Sequence, residues 1–134
     1  MVRFSIRFAS IWLSLTSAVQ AEVCNWQGGD SVWSTPANWS CAAQPGTSDQ
    51  AVLASNNNLT LDVTASIQSF TLNSNNAVLL GPQSLTSINT FDLQAGTVNS
   101  ILAGSAGANK TNAGTVTWNE TLEQPRLMAA FNYR

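Results

Sequence analysis

The side chains in this sequence that could do chemistry are few, and their types narrow the chemistry quickly. Among 134 residues there is no histidine, which removes Ser-His-Asp and Cys-His catalysis and imidazole metal sites. Carboxylates stand at Glu22, Asp30, Asp49, Asp62, Asp92, Glu120 and Glu123, and past Arg7 the basic side chains are Lys110, Arg126 and Arg134. Glycoside hydrolysis needs two carboxylates flanking one bond, and no spacing here announces such a pair. Calcium coordination by Asp30 or Asp49 has no loop motif behind it. Five basic residues in all are too few for the run of phosphate contacts that nucleic-acid binding requires. No catalytic residue, metal ligand or cofactor is therefore expected. What remains is indole chemistry. Trp26, Trp33 and Trp39 are candidate glycan contacts, because exposed indole faces stack on sugars. Their density around two cysteines favours the competing role of covering the open apolar end of a fold.

The elements that must position these residues begin with an address. Arg3 and Arg7 are the only charges before Glu22, a short and largely apolar stretch runs from Phe8 to Ala18, and Val19-Gln20-Ala21 closes it. A basic start, an apolar centre and a small-residue end define a secretory signal peptide over 1–21. The stretch is too short for the ~20 apolar residues of a membrane span, and no second one follows. Cleavage leaves 22–134, with three basic and seven acidic side chains and a net charge of −4. The expected product is soluble, weakly acidic and exported, destined for the cell surface, the periplasm or the medium. In such a compartment Cys24 and Cys41, the only cysteine pair, bond to each other.

Composition then divides the chain. Residues 22–46 hold the three tryptophans among Gly, Pro, Asn and Asp turn formers, with no sustained period. From 47 to 118 short apolar pairs recur at alternate positions: Leu59-x-Leu61, Phe70-x-Leu72, Phe91-x-Leu93 and Val116-x-Trp118. Alternation bounded by turn formers is the strand signal. The pattern Ile67-Gln-Ser-Phe70-Thr-Leu72-Asn returns as Ile88-Asn-Thr-Phe91-Asp-Leu93-Gln, and Gly96-Thr-Val98 returns as Gly114-Thr-Val116. A repeat of about 20 residues built of short strands predicts a coiled solenoid rather than an antiparallel sandwich. The separation of Asp62 from Asp92 is no multiple of the interval from Ile67 to Ile88, so the two carboxylates do not fall in register. Charged residues make up only 9 % of the chain, against roughly 25 % in ordinary domains. Stacked coils explain this, because each position meets its counterpart about 4.8 Å away. Like charges would repel there, while Asn, Ser and Thr form ladders.

The string Cys24-x-Trp26-x-Gly-Gly, then Trp33-Ser-x-Pro-Ala-Asn38-Trp39-Ser-Cys41, Pro45-Gly46 and Asp49-x-Ala-Val52 resembles the opening of bacterial exported right-handed β-helix surface proteins of the autotransporter-passenger and adhesin kind. Leu59-Thr-Leu61-Asp62 and Ser66-Ile67-Gln-Ser-Phe70-Thr-Leu72 are similar to their coils. The resemblance covers about residues 24–118 and implies a surface role: a stalk or passenger that adheres, assembles or carries other domains. Passengers usually run far longer, so the tail 119–134, more charged and outside the repeat, either caps the stack or marks a truncated passenger.

The expected molecule is all-β: a signal peptide (1–21), a disulfide-clamped, Trp-rich N-terminal cap (22–46), a short right-handed parallel β-helix (47–118) and an irregular or helical tail (119–134). It is expected to act without catalysis, as an exported structural or adhesin-like segment whose partners are surface glycans or another cell-surface protein. The alternative is a small secreted carbohydrate-binding or carbohydrate-active protein working through exposed tryptophans. Asn38, Asn58, Asn109 and Asn119 each open an Asn-x-Ser/Thr acceptor, which matters only in a host that glycosylates exported chains. Only Thr115-Val-Thr117 resembles the paired threonines of a flat array, too little to suggest one.

Overall fold

The computed structural model describes residues 20–104, 107–110, 114–119 and 132–133. All but the last two residues of the expected signal peptide, and most of the tail expected over 119–134, lie outside the described residues. Four short strands open the fold: β1 (Val23–Asn25), β2 (Ser31–Val32), β3 (Gln50–Leu53) and β4 (Asn58–Thr60). Alternation sets their inner faces, with Cys24, Ala51, Leu53 and Leu59 buried while Val23, Asn25, Gln50 and Asn58 face out. Between β2 and β3 a single 3-10 turn, Pro36–Asn38, starts at the proline, whose fixed φ suits the first position.

The next element, β5 (Ala65–Ala103), is one extended run of 39 residues. Drawn straight at ~3.3 Å per residue it would reach roughly 130 Å. Instead it winds, and every neighbour lies parallel to it. β3 pairs with Ser69–Leu72, β4 with Val78–Leu80, β6 (Gly107–Lys110) with Thr90–Asp92, and β7 (Val116–Trp118) with Gly96–Val98. β1 in turn pairs parallel with β3, β2 with β4, and β8 (Asn132–Tyr133) with β6. The result is a parallel β-solenoid of about three turns, as the repeat predicts. Its core consists of columns: Cys24 under Ala51 under Phe70, Leu59 under Leu79, and Leu53 under Leu72.

Coil length varies around the repeat. Gln50 lies under Ser69, Asn58 under Val78, Thr90 under Gly107 and Gly96 under Val116. Among these four pairings the step is shortest from Thr90 and longest from Asn58 and Gly96. The echo of one segment in the other is half right. Phe70 and Phe91, and Leu72 and Leu93, are all fully buried, but Ile67 is buried and Ile88 is 51 % exposed. Ser87 explains the slip. Its hydroxyl donates to the Gln68 carbonyl one coil away and to the Thr90 carbonyl just beyond it in the chain. Ile88 and Asn89, between Ser87 and Thr90, lie exposed. The interval from Phe70 to Phe91 is consequently two positions longer than the one from Gln68 to Ser87.

The first coil is longer than those above it, since Val23 pairs with Gln50 and Ser31 with Leu59. The head is thus not a plug placed beside the solenoid. It is the lowest coil, with its extra length gathered into a loop after β2.

Close stacking shows at Gly81, whose φ is +121° and where a Cβ would lie 2.5 Å from the Leu61 carbonyl oxygen of the coil below. Gly29, also at positive φ (+64°), has nothing within 4 Å. Gly81→Ala is expected to cost about 2 kcal/mol or more through strain and clash. Gly29→Ala should cost only ~1 kcal/mol, from backbone conformation alone. Thermal melts followed by circular dichroism check the difference; equal losses in melting temperature at the two sites would deny the contact.

Candidate functional site

The loop after β2 returns across the lower end of the stack. Trp26, Trp33 and Trp39 are 5 %, 0 % and 2 % exposed. Trp39 stands between the other two, edge to face with ring centroids 4.9 Å from Trp26 and 4.7 Å from Trp33. Its Nε1 donates to the Trp33 carbonyl, and Trp26 Nε1 donates to the Gly29 carbonyl. Trp33 Nε1 is buried without an acceptor. The candidate glycan contacts are therefore corrected by the structure: none of the three presents an open ring face for a sugar, because all three are folded against the core end. The side chain of Trp118, expected in the core or at an end, lies outside the described ones.

The same loop closes the backbone edge. The outward N–H of Asn25 in β1 donates to Ser40 Oγ at 2.8 Å, and its carbonyl accepts the Ser40 N–H at 2.9 Å. These are the two groups that a further parallel strand would engage. Asn38 works likewise beside β2. Its amide nitrogen donates to Ser31 Oγ and the Val32 carbonyl, and its own carbonyl accepts the Gln27 N–H. One glycosylation acceptor is thus tied into the fold, whereas Asn58, Asn109 and Asn119 are exposed. Cys24 and Cys41 form the expected disulfide, with Cα atoms 5.1 Å apart.

The carboxylates join the first two coils. Asp30 accepts the Asn58 N–H at 2.7 Å, Asp49 accepts those of Glu22 at 3.1 Å and Gly46 at 2.8 Å, and Asp62 accepts the N–H and the hydroxyl of Ser34. Burial acts to raise the Asp62 pKa, but the Ser34 hydroxyl, the Ser34 N–H and its own N–H bond the ionised form. The net is a carboxyl held below its usual 3.8. Higher up, Gln94 donates to Asp92, and Lys110 Nζ to the Gln94 carbonyl. Glu22, Cys24 and Cys41 gather their ligand atoms within 4.8 Å, but a disulfide has no thiolate to offer, so the group reduces to one carboxylate. Sequence patterning did not assign the aspartates these roles; the one available signal was Pro45-Gly46-x-x-Asp49, a turn that the Asp49 side chain closes on the Gly46 N–H.

Neutral polar side chains tie coil to coil around the outside. Thr64 donates to Gln83, Ser74 to Asn56, Asn109 to Thr90 and Asn119 to Asn99, each reaching from one coil to the next. These are the ladders that the scarcity of charge predicts. No helix among the described residues is long and apolar enough to cross a membrane. The chain has no significant match to any protein family, curated protein or solved structure.

Trp39→Ala should cost about 3–5 kcal/mol, as deletion of a buried aromatic does, with a melting temperature lower by roughly 12 °C or more. Asp62→Asn gives a pH test. The lowered folded-state pKa contributes stability that is fully present above the unfolded value near 3.8 and is lost as pH falls through the folded value. The gap in melting temperature between the natural chain and Asp62→Asn should close below about pH 4; a pH-independent gap would deny the carboxylate bond.

Proposed function

We propose that this chain is an exported, non-enzymatic structural segment of the adhesin type, acting through the outer surface of its coils. The observation that carries the proposal is the set of neutral ladders at coil spacing, Thr64–Gln83, Asn56–Ser74, Thr90–Asn109 and Asn99–Asn119. A surface of regularly spaced hydroxyls and amides with little charge matches the hydrogen-bonding character of a glycan, and it does so without an enclosed site. The disulfide supports export, since such bonds persist in oxidising compartments. The resemblance of residues 24–118 to bacterial β-helix passengers points the same way. A non-catalytic role is supported by the aspartates, since Asp30, Asp49 and Asp62 each hold backbone N–H groups in the first coils.

The full chain, tested on a glycan array and on intact cells, is expected to bind saturably. Binding should fall about tenfold in a Thr90→Ala/Asn109→Ala variant whose melting temperature stays within a few degrees of the natural chain, since an exposed hydrogen bond is worth only ~1 kcal/mol. Absence of binding to both arrays and cells would overturn the adhesive role. Release of soluble sugars from a polysaccharide would overturn the non-enzymatic one.

A further inference from the structure

The disulfide encloses more than a loop. All three head tryptophans, β1 from Cys24 onward, β2 and the 3-10 turn lie between Cys24 and Cys41. The strands and indole rings of the first coil are therefore held within one cross-linked ring. Inside it, the strand pairing to the second coil is short: three residues at β1 and two at β2. The indole contacts are internal, with Trp26 and Trp33 both meeting Trp39, so this part of the core forms only when the two ends of the ring come together. The edge contacts behave alike. Ser40, which closes both backbone groups of Asn25, is the neighbour of Cys41, and Asn25 is the neighbour of Cys24. The bond thus sits one residue from the edge closure on both sides, and Cys24 is fully buried beneath Ala51 and Phe70.

Composition gives the ring little to fold with on its own. Gly28, Gly29, Pro36 and a scatter of Ser and Asn leave the open chain many conformations. An end coil also has a neighbour on one side only, and the stack has about three turns in all, close to the minimum that solenoids need. Losing the first coil would leave about two and would uncover Leu53 and Leu59, both fully buried now.

We infer that the Cys24–Cys41 disulfide is a compartment-dependent gate on folding: the reduced chain does not hold the solenoid, and oxidation assembles it. The step is a two-electron oxidation. Two thiols lose two protons and two electrons to a dithiol–disulfide oxidant of the destination compartment, and the S–S bond forms. A chain gated in this way stays unfolded, and so able to cross a membrane as an extended polymer, while it remains in a reducing compartment. This deepens the proposed function and rests on its claim of export.

Refolding of the full 134-residue chain from denaturant, with and without dithiothreitol, tests the gate. The oxidised chain should show blue-shifted tryptophan emission and one cooperative melt. The reduced chain should show denatured-like emission, no cooperative melt and at least tenfold faster proteolysis. Removing the reductant and adding oxidised glutathione should restore the oxidised signals in the natural chain. A Cys24→Ala/Cys41→Ala variant should stay unfolded in both buffers. The reduced natural chain carries no altered side chain, so a cooperative melt of that sample within a few degrees of the oxidised one overturns the gate. Export is read separately, with a reporter fused after Arg134 that is active only in an oxidising compartment. If the reduced chain folds while the reporter is active, the gate fails and export stands. A silent reporter beside an unfolded reduced chain removes export and, with it, the compartmental purpose of the gate.

Discussion

The constraint on which this structure depends is that each residue lies one coil away from its own counterpart, at the ~4.8 Å spacing of hydrogen-bonded parallel strands. A helix or an antiparallel sheet can surround a side chain with unlike neighbours. Here the neighbour above and below is set by the coil, so only residue types that tolerate a similar or complementary copy survive in a column. Inside, that means aliphatic and aromatic stacks such as Leu59 under Leu79 and Leu53 under Leu72. Outside, it means hydroxyls and amides that donate to one coil and accept from the other. Where the chain turns against the preceding coil, at Gly81 against Leu61 and Gly104 against Ser87, no side chain fits at all.

A stack of this kind has ends, and an open end exposes both apolar columns and unpaired backbone. The first coil answers both needs with one insertion. Its additional residues carry Trp39 in between Trp26 and Trp33, which continue β1 and β2 in their pairing with the second coil, and bring Ser40 and Asn38 onto the backbone groups of β1 and β2. Covering the core without closing the edge would leave a template for pairing with another chain. Closing the edge without covering the core would leave Leu53 and Leu59 wet. The disulfide holds the two functions together, because it joins the edge strand to the end of the segment that covers it.

Much of the architecture was legible in the sequence, and the reasons are local. Alternation in Leu59-x-Leu61 and Phe70-x-Leu72 revealed strands, and the echo at Phe91-x-Leu93 revealed that they repeat. The cysteine pairing followed from there being only two. What failed did so because the pattern carries no depth. Ile88 matches Ile67 in type, yet it lies exposed beside Ser87, whose hydroxyl contacts the Gln68 and Thr90 carbonyls, and such a contact leaves no mark in a hydrophobic pattern. The tryptophans posed a similar problem, since an indole that stacks on sugar and one that covers a core look identical in sequence. Their burial follows from a tertiary contact, Trp39 between Trp26 and Trp33, among residues separated by irregular chain. The aspartates were hidden most completely, because their partners are backbone N–H groups a whole coil away in the chain.

The placement of charge ties these observations together. Asp30, Asp49 and Asp62 all act at the junction of the first two coils, where the long first coil departs from the regular step and leaves backbone N–H groups without strand partners. Asp30 meets Asn58 and Asp62 meets Ser34, both neutral, while Asp49 accepts the backbone N–H of Glu22. Farther up, Asp92 is in register with Asn109. Charge is therefore not merely scarce in this chain. It is admitted where an irregular junction needs a strong acceptor for an N–H group, and the regular coils use neutral ladders instead. A ligand meeting the outer surface of those coils would find hydroxyls and amides in register and few ions.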